Sequence, residues 1–330
     1  MSYHGIDHHV GKTPLIRLNK LSDLTGCEIL GKAEFMNPGG SVKDRAAWGI
    51  ITRAEDQGLL RPGQTIVEGT AGNTGIGLTA VGRARGYKTV IVIPETQAPE
   101  KIRILRTLGA EVITVPAKPY SDPGNYNHIA RGLAEENGWF WANQFDNTAN
   151  REAHFRTTGP EIWEQTSGVV DAFVASVGTG GTLVGTSQYL KSRDAGIKAV
   201  CADPYGAAMW SWFTHGHLDD DDGDSFAEGI GQGRVTRNLE GFQVDVAYRI
   251  EDQLGITAIH HLLDEGICLG LSSGINIAAA VRHAKEHGPG LTIVTILCDT
   301  GLKYESKIYN PAWLAENHLT PGLPVKTLIA

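Results

Sequence analysis

The chain has 330 residues, a formal net charge of −8, 41% hydrophobic residues and 20% charged ones. That is enough to bury a full core, more readily as two lobes than one, at the composition of a soluble globular protein. The acidic balance argues against a general nucleic-acid binder, and no apolar run is long enough to span a membrane.

The N-terminus carries no apolar signal region, so a cytoplasmic protein is expected. Cys27, Cys201, Cys268 and Cys298 are scattered, with no C-x-x-C pair. A disulfide framework and a structural zinc are therefore not expected. Cys201 and Cys298 fall in strand-like runs and are expected to be buried thiols. His4, His8 and His9 read as a terminal cluster without the partners of a metal site. No metal is expected.

In chain order, residues 29–35 form an apolar, strand-like run. Asn37-Pro38-Gly39-Gly40-Ser41-Val42-Lys43-Asp44-Arg45 follows, and 46–55 is helix-like. Lys43 then falls in the first turn of a helix, just after a glycine bend. The helix terminus carries partial positive charge, which lowers an amine's pKa. A neutral lysine amine can form a Schiff base with an aldehyde. Read alone, the stretch fits a solvated surface lysine at least as well.

Strand-like runs at 65–68, 89–93, 111–115 and 139–143 alternate with helical runs at 78–85, 99–108 and 126–137. This alternation predicts parallel βαβ units. A polar stretch at 145–151 reads as a crossing between lobes. Beyond it come a helix at 154–165, a strand at 172–177, a helix at 183–191 and a strand at 198–202. The loop 215–225 contains Asp219 to Asp222, whose mutual repulsion predicts a wet loop rather than a metal site. A strand at 242–248, helices at 252–265 and 275–285 and a buried strand at 291–297 complete the series.

Three strand-to-helix loops sit where parallel sheets bind ligands. Gly69-Thr70-Ala71-Gly72-Asn73-Thr74-Gly75 offers backbone N–H groups at a helix start, an anion site or a plain N-cap. Gly178-Thr179-Gly180-Gly181-Thr182 suits a phosphate. The rival is a dinucleotide fold, but the third glycine of its fingerprint would fall at Leu183. Cys298-Asp299-Thr300-Gly301 reads by itself as a helix cap.

Pro-Gly-Gly-Ser-Val-Lys-Asp-Arg, Gly-Thr-Ala-Gly-Asn-Thr-Gly and Gly-Thr-Gly-Gly-Thr together resemble the cysteine synthase and cystathionine β-synthase family of pyridoxal-phosphate (PLP) enzymes, fold type II. Gly11-Lys-Thr-Pro-Leu, Glu228-Gly229-Ile230-Gly231 and Ser272-Ser273-Gly274 resemble further family motifs, all in family order from Gly11 to about Tyr304. The resemblance implies an α/β protein of two three-layer domains with mainly parallel sheets. It implies a smaller domain of residues 1–13 and 37–149 and a larger one of 14–36 and 150–330. Lys43 would carry PLP and act as the base. Asn73 would bind the phenolic oxygen, Gly178, Thr179, Gly180, Gly181 and Thr182 the phosphate, and Thr300 the pyridine nitrogen. Thr70, Ala71, Gly72, Asn73, Thr74 and Gln144 would hold the substrate carboxylate, with Gly229 and Gly231 beside the cofactor. Ala71 departs from the serine of many members and removes one hydroxyl.

A hydroxyl on the pyridine nitrogen makes the ring a weaker electron sink than an aspartate would, favouring β-replacement over transamination. The implied reaction is O-acetylserine with sulfide. The alternatives are cystathionine β-synthase chemistry on serine and homocysteine, O-phosphoserine or cysteine as substrate, or a weakly active partner-binding member. A homodimer is implied, with serine acetyltransferase as a possible partner.

Overall fold

Two sheets organise the chain. The computed structural model describes residues 5–219 and 223–329. The order begins β1 (Leu15–Arg17), α1 (Asn19–Thr25), β2 (Glu28–Lys32), α2 (Lys43–Asp56), β3 (Thr65–Gly69), α3 (Asn73–Ala84), β4 (Lys88–Pro94), α4 (Pro99–Thr107), β5 (Glu111–Val115), α5 (Tyr126–Asn137) and β6 (Phe140–Trp141). It continues through α6 (Ala149–Arg156), α7 (Thr158–Gln165), β7 (Ala172–Ser176), α8 (Gly181–Arg193), β8 (Lys198–Pro204), α9 (Met209–His215) and β9 (Val246–Ile250). The last elements are α10 (Asp252–Leu263), α11 (Leu271–His287), β10 (Thr292–Ile296) and α12 (Pro311–Glu316).

The larger sheet runs β1-β2-β10-β7-β8-β9 and the smaller β5-β4-β3-β6. Among the described strands only β1–β2 pairs antiparallel. The chain starts in the larger sheet, leaves to build the smaller one and returns at β7. All five residues of β7 are buried, as a parallel strand covered on both faces requires. One face of the larger sheet packs Ile29, Val174 and Val200 against Ile256 and Ile275 of α10 and α11. The other packs Phe173 and Cys201 against Leu183 and Leu190 of α8.

Several elements differ from the sequence reading. The helix expected at 154–165 is two helices, broken at Thr157 (φ −127°, ψ −66°). The expected crossing at 145–151 already contains the start of α6 at Ala149. The strand expected at 242–248 is Val246–Ile250, because Phe242 and Val244 are apolar for another reason: they pack on the core from a loop. The strand expected at 139–143 is cut to two residues, since Asn143 turns left-handed at φ 48°. Asp220 to Asp222 of the acidic loop, and His4, lie outside the described residues.

The start of α2 is held by a buried ionic cluster. Arg45, two residues after Lys43, donates to both carboxylate oxygens of Glu34 at 2.7 Å and to Glu161 of α7 at 2.7 and 2.8 Å. Lys32 of β2 pairs with Glu161 at 2.7 Å. Thr13 donates to Glu34, and Asn37 donates to it from the other side. The four charges cancel. Burial would push the Glu161 carboxyl up, but the hydrogen bonds and charge of Arg45 hold it down at about 2. Removing Arg45 strands the Glu34 carboxylate in the interior and leaves Glu161 to Lys32 alone. Arg45→Met is therefore expected to cost about 3–5 kcal/mol in denaturant unfolding. A loss under about 1 kcal/mol, the scale of an exposed pair, would show that the cluster is not a buried anchor.

Candidate active site

The bend before α2 is shaped by Gly40, whose φ of 72° favours glycine. Val42 N–H donates to the Cys298 carbonyl at 2.8 Å, and Ser41 bridges to Asp299. The bend of one sheet's loops is thus tied to the end of β10 in the other. Lys43 opens α2, as its spacing predicted. Its amine makes no hydrogen bond or ion pair among the described residues, and its pKa is lowered. Burial is the main cause and the nearby charge of Lys101 adds to it, while Cys298 and Asp299 oppose.

Lys43 lines a cavity of about 750 Å³. The loops after β3, β7 and β10 open into it. Thr70, Ala71, Asn73, Thr74, Gln144, Gly178, Thr179, Gly229 and Gly231 share its wall with Ser272 and Cys298. A narrow extension is lined by Lys43, Gly178, Thr179, Gly180 and Thr182. Two expected residues stand behind the wall. A Cβ at Gly72 would meet Lys101 at 2.7 Å, and one at Gly181 would strike the Asn150 amide.

Thr300 does not join these residues. It lines neither the cavity nor its extension, because its hydroxyl turns back to accept from Leu302 N–H at 3.3 Å and caps a 3-10 turn. Ser272, at the start of α11, does line the cavity. Its Ser-Ser-Gly run was legible as a helix start, but nothing in the sequence aimed its side chain. Cys298 also differs from the buried thiol expected: it is half-buried and lines the cavity, with its thiol pushed up to about 11 by burial and by Asp299.

Side chains that sequence reasoning missed hold the loops. Asn150 Nδ2 donates to Thr179 Oγ1 at 2.8 Å, and Thr236 Oγ1 donates to the Thr179 carbonyl at 2.7 Å. His154 joins Thr158 (2.9 Å) to Thr182 (3.2 Å) through its two ring nitrogens. Burial, then the charge of Arg45, lower its pKa to about 3, so the ring is neutral. On the opposite wall, Gln144 accepts from Thr74 and donates to the Gly69 carbonyl at 3.2 Å. Asn73 donates to Asp299 at 2.7 Å and accepts from Lys303 at 3.0 Å.

The family model described as "Pyridoxal-phosphate dependent enzyme" matches residues 6–299. The chain belongs to this family. It is 53% identical to "Cysteine synthase 1" of Neurospora crassa over 97% of this chain and 87% of that protein. It is 45% identical to "Cysteine synthase" of Dictyostelium discoideum, over 96% and 86%. Among solved structures, an O-ureido-L-serine synthase superposes with a TM-score of 0.85 at 35% identity, over 96% of this chain and all of that one. An O-acetylserine dependent cystathionine beta-synthase from Helicobacter pylori superposes at 0.84 and 33%, over 94% and 100%.

The site suits PLP on its own chemistry. The N–H groups of Gly178, Thr179 and Gly180 donate to no acceptor among the described residues, and they precede the N-terminus of α8. Unspent donors at a helix start suit a phosphate. The amine of Lys43, equally unspent, lines the same extension.

Just before the 70–75 loop lies Glu68, fully buried, with one carboxylate oxygen unpartnered. Burial raises its pKa to about 8 against the N–H groups of Gln144 and Asn143. The native value exceeds the ordinary 4.5, so the fold holds a proton that the unfolded chain releases. This stabilisation is complete below pH 4.5 and is lost as pH rises to about 8. Glu68→Gln is expected to flatten the fall of Tm across that window and to leave the protein more stable than the parent above it. An unchanged slope in melts at several pH values would show that Glu68 is ionised in the fold.

Proposed function

We propose that this PLP enzyme makes cysteine by β-replacement, taking O-acetylserine and sulfide and releasing acetate. The observation that carries the reading is the shared cavity: an uncommitted, half-buried lysine amine facing one loop suited to phosphate and another suited to a carboxylate. The full-length similarity to cysteine synthases supports it.

When bound, PLP supplies the electron sink that acidifies the substrate Cα–H and lets a β-substituent depart. The chain's residues do the rest. N–H groups at the start of α3, with the Thr70 hydroxyl, take the carboxylate, while Thr74 spends its hydroxyl proton on Gln144, which holds that loop in shape. Ala71 offers backbone alone. Asn73 directs its remaining N–H at the phenolic oxygen. The Lys43 amine takes the Cα proton and returns it once the nucleophile has bonded to Cβ. Ser272, which lines the cavity where Thr300 does not, would meet the pyridine nitrogen. A hydroxyl cannot keep that nitrogen protonated as a carboxylate would, which favours loss of the β-group over reprotonation at the cofactor.

A second reading, with a thiol amino acid such as homocysteine as nucleophile, is favoured by a cavity wider than sulfide requires. We also propose the domain division at 1–13 with 37–149 and 14–36 with 150–330. A homodimer is supported by apolar side chains left exposed at Met36 and Leu302. A cytoplasmic setting suits four unpaired cysteines. The carboxylate loop would also suit the C-terminal tail of serine acetyltransferase.

Lys43→Ala is expected to lower turnover at least about a thousandfold. Turnover within tenfold of the parent, without added amine, would sink the assignment. In the parent, the visible cofactor band should shift to longer wavelength with O-acetylserine and return with sulfide. A band that ignores O-acetylserine and answers serine with homocysteine would select the second reading.

A further inference from the structure

Asn73 is held by two opposite charges. Its Oδ1 accepts from the Lys303 ammonium at 3.0 Å, and its Nδ2 donates to Asp299 Oδ2 at 2.7 Å. Lys303 and Asp299 are themselves buried, 2% and 0% exposed. Tyr304 fixes the carboxylate from the far side, donating to the same oxygen at 2.7 Å. A flipped amide would set its oxygen against a carboxylate and its N–H₂ against an ammonium, so only one orientation is available.

Lys303 also donates to the Gly39 carbonyl at 2.9 Å and the Gly40 carbonyl at 3.1 Å. An ammonium has three N–H donors. All three are spent, two on the bend that delivers Lys43 and one on Asn73. The amide nitrogen of Asn73 has two protons. One goes to Asp299, and Asn73 lines the cavity with the other to offer.

We propose that Lys303 is a positioning residue: with Asp299 it locks the Asn73 amide nitrogen-first toward the phenolic oxygen of the cofactor. Lys303 touches neither substrate nor cofactor in this arrangement and acts through Asn73. The inference rests on the reading of Lys43 and Asn73 given above.

The test is PLP rebinding to the stripped full-length protein, followed by the visible band and by affinity. The parent, Asn73→Ala, Lys303→Met, Lys303→Arg and the double variant Asn73→Ala/Lys303→Met are compared. Lys303→Met should weaken PLP about tenfold or more, the range for a hydrogen bond to a charged group, and should move the visible band. Lys303→Arg, which keeps a cation and several donors, should recover most of both. In the Asn73→Ala background, Lys303→Met should add less than about twofold, because residues that act as a unit are not additive. A merely structural lysine would lower Tm in both backgrounds and leave the band in place.

Parent-like affinity and band in Lys303→Met, or a full tenfold loss again in the Asn73→Ala background, would overturn the proposal. Should Lys303→Met not fold, Lys303→Gln decides in its place: parent-like binding and band overturn the proposal, and a loss with a moved band supports it. If the parent itself shows no PLP band, the reading of Lys43 has failed. A parent band with unaltered variants fails this proposal alone.

Discussion

Two residues after Lys43, a guanidinium is buried between two carboxylates. Arg45 reaches Glu34, just past β2, and Glu161 on α7, so one side chain ties the first turn of α2 to elements flanking the larger sheet. Bending the chain to put Lys43 elsewhere would require moving buried charges apart. That is far costlier than breaking an exposed pair. The unspent amine can therefore be held in a cavity wall without a hydrogen bond of its own. Removing its water shell lowers its pKa, and the Arg45 cluster keeps the backbone from relaxing to let water back.

The cavity is ordered by the same economy of charge. The chain is acidic overall, yet Lys43, Lys101, Lys118, Lys307 and Arg234 line the cavity, with Glu228 the one carboxylate among the described lining residues. Glu228 takes Lys101 at 2.6 Å and joins Lys307 as well. Its loop belongs to the larger sheet's half of the chain, and Lys101 to α4 beside the smaller sheet. Arg234 of the same loop pairs with Asp146 at 3.1 Å. Ion pairs at both ends of the glycine stretch thus hold it across the cavity. A phosphate and a carboxylate are the ligands such surroundings favour.

How much of this was legible in the sequence follows from range. Glycine loops after apolar runs are local signals, so the 70–74 and 178–182 loops and the helix-opening place of Lys43 could be read directly. The βαβ alternation gave the sheets for the same reason. Thr300 could not be placed that way. Two neighbouring hydroxyl-bearing stretches, at 272–273 and at 300, both look like helix starts. Which one faces the ring depends on the turn after β10, where Thr300 caps its own chain. The anchors His154, Asn150 and Lys303 act on partners 28 or more residues away, Glu34 acts on Arg45 across the bend, and their local sequence looks like ordinary polar surface. The break at Thr157 was hidden because both halves of the helix have the same period.

The central claim is that Lys43, and no other lysine, carries the cofactor. Lys101 and Lys303 lie buried near the same cavity, which makes the question a real one. The direct measurement is borohydride trapping of PLP on the protein, followed by proteolysis and mass mapping of the labelled peptide. The account predicts one labelled site, at Lys43, with no label in Lys43→Ala. Label on Lys101 or Lys303 in the parent, or undiminished labelling of Lys43→Ala, would contradict it.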